Sequence, residues 1–258
     1  LLATDGYNPV IAVGYAYAPA LANVAAAHPD TTFGIVDNEV DAPNVSGLVF
    51  SAEQGSYLVG VIAALLSFAK FDHCRSTGWG GADVYVHACY SDLPALLLDR
   101  NLNTHTWPYA GGDNAVEYPP ITGVVMWATS YFVNHDYNQY RAYFDINALL
   151  IVALFIFMVI LLKRISPQYW YLAPLAPAVI GSLFINWDMW AVVPALLGIY
   201  WFDQKQYDKS ALALGIAIAT KFFPIVLLLP VLLLLLKQKR ALIRYHAIAL
   251  GTTVLINL

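Results

Sequence analysis

Between residues 71 and 120 the chain gathers Asp83, Asp92 and Glu117 among many aromatic side chains, and the apolar run 210–236 is interrupted by one cation, Lys221. Carboxylates take protons from hydroxyl groups, and an ammonium pairs with phosphate. Together on one membrane face they suit transfer from a lipid phosphate to a hydroxyl acceptor. A lysine facing lipid at mid-bilayer costs roughly 2.5–3.5 kcal/mol, so Lys221 is read as facing an anionic partner at an aqueous edge. The plainer alternative is a lysine snorkelling from a helix end. His73, Cys74, His87 and Cys89 form a second group. Cys74 and Cys89 flank fourteen residues and suit a disulfide in an oxidising compartment. Zinc on all four side chains is the sharper idea, but neither Cys-x-x-Cys nor His-x-x-x-His spacing is present, and no metal is assigned. Without a Gly-x-Gly-x-x-Gly, a Walker lysine or a Gly-x-Ser-x-Gly, nucleotide hydrolysis and serine catalysis have no support.

The elements that must position these groups are unlike in the two parts of the chain. Its 258 residues are 59% hydrophobic and 12% charged, with a mean hydropathy of +0.59, too apolar for a soluble protein throughout. A net charge of −4 argues against a nucleic-acid partner. All 13 Lys and Arg lie at or after Lys70, whereas residues 1–69 hold six acids, and every long apolar run follows residue 120. The break near residue 69 separates two pieces.

In the first piece no export signal is visible at the start. Val10 to Val13 reads as a buried strand, Pro19 to Ala27 as a helix, Thr32 to Val36 as a strand and Val45 to Phe50 as a third strand. Ser51-Ala52-Glu53-Gln54 can cap a helix from Glu53 to about Leu66. Strand, helix and strand within about 30 residues imply a parallel α/β sheet.

In the second piece a polar stretch, 71–120, precedes apolar segments at 121–133, 146–162, 169–185, 189–202, 210–236 and 241–258. Several fall short of the roughly 20 residues a perpendicular span needs. The positive-inside rule places Lys163-Arg164, Lys205 with Lys209, and Lys237-Lys239-Arg240-Arg244 in the cytoplasm. Asn186-Trp187-Asp188 then lies outside, and 210–236 goes out and back with a break at Lys221-Phe222-Phe223-Pro224.

"VIAVGYAYAPAL", "HPDTTFGIVDNEVDAPNV" and "LVFSAEQGSYLVGVIAAL", over about 7–66, resemble part of the N-terminal lobe of the basic membrane protein family, nucleoside-binding lipoproteins of bacterial ABC importers. The resemblance implies a nucleoside held between two lobes by stacking. Tyr15 and Tyr17 are the candidate stacking rings here. With the second lobe absent, and Ala18-Pro19 where the family often has an acid, no competent nucleoside site is expected. "CYSDLPALLLDRNLNTHTWPY", "VEYPPITG", "NWDMW" and "ATKFFP", over 71–258, are similar to the polyprenol-phosphate-sugar-dependent glycosyltransferases of the GT-C class, in particular the α-mannosyltransferase-like branch. That resemblance implies a loop acid as general base, matched by Asp92, which precedes Tyr109 of "WPY" by 17 positions. Asp83 and Glu117, beside Tyr118, are the alternative acids. Lys221 matches the lysine that holds the donor phosphate, with Asn186 and Asp188 in support.

The resemblances together imply a mainly α, polytopic and GT-C-like membrane region preceded by a small α/β fragment of a binding-protein lobe. The pieces are residues 1–68, an extracytoplasmic loop 69–120 and a transmembrane region 121–258. The two families are not ordinarily joined, so a junction near 66–71 reads as a fusion of two fragments. The activity implied is that of a hexosyltransferase in the bacterial cytoplasmic membrane, with membrane lipid and a lipid-linked sugar donor as partners. No cofactor is expected beyond a polyprenyl-phosphate sugar as donor substrate. The alternative is a nucleoside-transport component served by an ABC permease and ATPase.

Overall fold

The computed structural model describes residues 1–49, 52–134, 136 and 138–258, without the side chains of residues 15, 52–54 and 56. The stacking expected of the Tyr15 ring and the cap expected over 51–54 therefore lie outside the described residues. The chain divides into two compact units, Leu1–Ala52 and Glu53–Leu258.

The first unit consists of β1 (Val10–Val13), α1 (Ala18–Ala27), β2 (Phe33–Val36) and β3 (Val45–Leu48). The strands form a parallel sheet in the order β1-β2-β3, with Val10 opposite Phe33 and Phe33 opposite Val45. Alternation decides its core: Phe33 and Ile35 of β2 are buried with Leu21 and Ala25 of α1. On β1 the opposite face is open, with Ile11 and Val13 exposed. Gly14 ends β1 at φ +112°, a conformation that glycine alone adopts without strain, and turns the chain into α1. Asn44 ties the sheet to α1, donating to carbonyls of Ala25 and His28 at 3.1 and 3.0 Å.

The second unit is helical. It contains α2 (Ala52–Lys70), α3 (Asp72–Thr77), α4 (Asp83–Val86), α5 (Asp92–Asp99), α6 (Pro120–Ser130) and α7 (Gln139–Ile165). After these come α8 (Pro177–Ser182), α9 (Met189–Asp203), α10 (Tyr207–Thr220), α11 (Leu228–Leu235) and α12 (Lys239–Asn257). From residue 53 onward α2 belongs to this unit, although the composition break comes only near residue 69. Its Gly60 lies where a Cβ would meet Ile156 of α7 at 3.5 Å, and Ala63 and Ala64 enter the same core as Phe155 and Val159. Small residues let α2 approach α7 closely.

At 27 residues, about 40 Å long, α7 alone among the described helices is both long and apolar enough to cross a membrane by itself. The stretch 169–185, expected as an apolar span, is instead a 3-10 turn at Trp170–Leu172 followed by the six-residue α8. Pro174 and Pro177, three residues apart, remove two backbone donors and crowd the preceding turn, which disfavours a continuous helix over this stretch. The 210–236 run breaks where the sequence indicates. There α10 ends at Thr220, Lys221 is extended at φ −151° and ψ 143°, and a 3-10 turn over Phe223–Leu227 leads into α11.

α9, α10 and α12 pack tightly through small residues. A Cβ on Gly215 would stand 2.6 Å from the Ala249 carbonyl. Ser210 joins all three helices, donating to the Gly198 carbonyl at 2.7 Å and sharing a 2.9 Å hydrogen bond with the Tyr245 hydroxyl. The resulting α9–α10 hairpin leaves Lys205 and Lys209 at its turn, joined by Arg244 of α12 through an ion pair with Asp208. Asp188 and Lys221 occupy the opposite end.

Candidate functional site

Four segments converge at the Asp188–Lys221 end. Asp92 is the first residue of α5. Ser91 caps that helix by accepting from the Leu93 amide at 3.2 Å, while its hydroxyl donates to the Phe184 carbonyl at 2.6 Å. The Asp92 amide donates to the Ile185 carbonyl at 2.7 Å. The start of α5 is thereby fixed to the chain just ahead of Asn186-Trp187-Asp188. Trp187 is fully buried and donates to Asn147 of α7 at 2.7 Å, which anchors the turn. The side chain of Asn186 accepts from the Asp188 amide at 3.0 Å.

The stretch Glu117–Gly123 joins the other parts. Tyr118 donates its hydroxyl to Asp92 Oδ2 at 2.8 Å, and Thr122 donates to the Thr220 carbonyl at 2.8 Å, holding the residue before Lys221. Tyr109 donates to the Tyr118 carbonyl at 2.9 Å. Gly123 makes room for it, since a Cβ there would collide with the Tyr109 hydroxyl. Lys221 Nζ stands 4.7 Å from the centroid of the Tyr118 ring and forms an ion pair with Asp188. One aromatic ring thus touches the carboxylate at its hydroxyl and the ammonium at its face.

Tyr90 donates to the other Asp92 oxygen, Oδ1, at 2.8 Å. Both phenols remain protonated donors. Hydrogen bonding to Asp92, then burial, pushes Tyr90 up to about 12, and burial followed by the bond to Asp92 raises Tyr118 as well. Burial likewise pushes Tyr109 up to about 12. Asp92 is oriented by two neutral donors, and its oxygens keep lone pairs for a further hydroxyl. Trp190, two residues beyond Asp188, keeps a buried Nε1 with no hydrogen-bond partner among the described residues.

The other two acids lie in different surroundings. Glu117 is exposed and pairs with Arg100 at 2.7 Å. Asp83 lies between two histidines, 2.8 Å from His73 Nε2 and 3.0 Å from His87 Nδ1, and the hydrogen bond from His73 holds its carboxyl below the usual range. Cys74 and Cys89 are joined in a disulfide, so neither is a thiolate available to zinc, and the four-residue set His73, Cys74, His87 and Cys89 is replaced by one containing Asp83. In the first unit Tyr17 is exposed, beside an apolar pocket lined by Leu1, Leu2, Val10 and Leu21.

Sequence reasoning missed Tyr90 and Thr122. Tyr90 stands two residues before Asp92, but nothing in that spacing distinguishes it from a loop aromatic. The Thr122–Thr220 hydrogen bond spans 98 positions and leaves no local signal.

Comparison with known proteins gives two family matches. Residues 1–74 match the Bmp family, described as ABC transporter substrate-binding protein PnrA-like, and residues 117–258 match glycosyltransferase family 87. Asp83 and Asp92 fall between the matched ranges. No curated protein and no solved structure matches the chain.

Proposed function

Since the chain belongs to glycosyltransferase family 87 through residues 117–258, and is thereby a membrane glycosyltransferase, we propose that it transfers a hexose, mannose-like, from a polyprenyl-phosphate donor to a hydroxyl of a lipid or glycan. Asp92 is the general base and Lys221 the phosphate clamp. The observation that carries this reading is the shared contact on Tyr118, which brings Asp92 and Lys221 to one place from 129 positions apart. In the reaction the acceptor oxygen attacks the anomeric carbon and its proton passes to Asp92. The bond from that carbon to the phosphate oxygen breaks, and the phosphate leaves with the electron pair, held by Lys221. Asp188 occupies Lys221 before the donor arrives and yields it to the phosphate, an exchange of one anion for another. Asn186 holds the Asp188 turn in place.

A polytopic arrangement agrees with the surface. Leu229, Leu233 and Leu234 on α11, and Val254 and Leu255 on α12, are exposed. So large an apolar surface is at home in lipid. A cavity of about 230 Å³ lined by Ile199, Phe202, Leu214, Leu227, Leu234 and Tyr245 suits an isoprenoid or acyl chain. On the positive-inside rule we read the basic residues at the α9–α10 turn as cytoplasmic, and Asp92, Lys221 and the loop 71–120 as outside.

Lys221→Ala in the full chain removes a charge-assisted contact and raises the donor concentration for half-maximal transfer by about 10–100-fold. The assay uses a mannosyl polyprenyl phosphate. Accessibility labelling of single cysteines at 92 and 221, in a background lacking Cys74 and Cys89, places both outside. Labelling from opposite faces overturns the mechanism, because base and donor phosphate then cannot meet.

A further inference from the structure

We propose that His73, Asp83 and His87 form a binding site for a divalent metal ion of the zinc class, a metal clip across the loop that precedes Asp92. Their ligand atoms all lie within 4.8 Å of one another. Asp83 presents one carboxylate oxygen to each ring, Oδ2 to His73 at 2.8 Å and Oδ1 to His87 at 3.0 Å. The two imidazoles stack face to face with centroids 3.6 Å apart. The two rings and the carboxylate together offer two nitrogens and an oxygen to one cation. Zinc accepts ligands at about 2.0–2.2 Å, so the set closes on an ion by a modest rotation of the rings. Imidazole nitrogens select zinc, cobalt, nickel or copper over magnesium and calcium, whose preferred ligands are oxygens.

The backbone beneath these side chains is already held. His73 is the second residue of α3 and is followed by Cys74, while His87 caps the end of α4 and stands two residues before Cys89, so the Cys74–Cys89 disulfide ties together both segments of the site. Trp79 adds a second tie, donating to the Cys89 carbonyl at 3.1 Å. Arg75, next along α3, anchors that helix to Asp145 of α7 with two hydrogen bonds of 2.8 Å. A site built on fixed backbone loses less entropy on binding. All three side chains are partly exposed, at 37–42%, so water reaches the remaining coordination positions. The His73–Asp83 separation of ten residues matches none of the metal spacings readable in a sequence, and only the disulfide fold brings the three together.

The site does not depend on the transfer reading, and the test reads metal directly. The full chain, with any affinity tag removed and its disulfide intact, is dialysed against Zn²⁺ and its metal content measured, then titrated with Co²⁺ while the visible absorption is followed. One Zn²⁺ per chain is expected, displacing Co²⁺ and unaffected by excess Mg²⁺. The melting temperature should rise with added Zn²⁺. His87→Gln and Asp83→Asn are both surface changes and should each weaken binding by more than about tenfold while the disulfide still forms. Metal content near zero in the parent chain overturns the proposal. So does one Zn²⁺ per chain bound with unchanged affinity in both variants, which would place the ion on other histidines.

Discussion

Asp83 opens α4 and Asp92, nine positions on, opens α5; both bind two ring-bearing partners, yet the partners differ in kind. Asp92 accepts from two phenols, Tyr90 and Tyr118, and one of those rings also carries Lys221. Asp83 meets two imidazoles, His73 and His87, whose ring nitrogens are of the metal-ligating kind. Phenols raised above their ordinary range stay donors and leave lone pairs on the carboxylate for the acceptor hydroxyl of the proposed transfer, whereas the imidazoles would make the same group one arm of the proposed cation site. Residue type alone therefore does not separate the proposed base from the proposed ligand. What surrounds each carboxylate does.

The sharpest way to break this contrast is to neutralise each acid in turn. Asp92→Asn keeps the shape and the phenol contacts but cannot take a proton, so transfer should fall by about 10²–10⁴ with donor binding little changed. Asp83→Asn should leave transfer within about twofold and lose zinc instead. If the losses are reversed, with transfer abolished by Asp83→Asn and retained by Asp92→Asn, the two roles have been assigned to the wrong acids.

A smaller effect sharpens the part played by the phenols. Tyr118→Phe removes one hydrogen bond to Asp92 but keeps the ring beneath Lys221, and a bond of this kind contributes about 1 kcal/mol, or roughly five- to tenfold in transfer. The loss should appear in the rate at saturating donor. A change confined to donor affinity would mean that Tyr118 serves Lys221 and not Asp92. The smallest effect belongs to Glu117. Its exposed pair with Arg100 contributes at most about 1 kcal/mol to stability. Glu117→Gln should therefore leave transfer within about twofold in the same assay, and abolition of activity would return Glu117 to the list of bases.

Several elements were legible because their signals are local. Four consecutive apolar residues ended by Gly14 mark β1, the alanine-rich stretch after Pro19 marks α1, and a lysine with a nearby proline marks the break after Thr220. Hydropathy misled over 169–185. It sums apolar side chains and takes no account of the donors that Pro174 and Pro177 remove.

The candidate site divides along the same line. Residue type drew attention to the loop acids and to Lys221, and the resemblance of "WPY", "VEYPPITG" and "NWDMW" to GT-C motifs implied Asp92, Tyr109, Tyr118, Asn186 and Asp188. That Asp92, and not Asp83 or Glu117, shares a ring with Lys221 was decided by the docking of Ser91 onto Phe184 and of Thr122 onto Thr220. Those contacts join residues more than 90 positions apart, and a hydrogen bond to a backbone carbonyl needs no particular residue at the accepting end. Such a pairing leaves no trace in the composition or periodicity of either segment and exists only once the helices have packed.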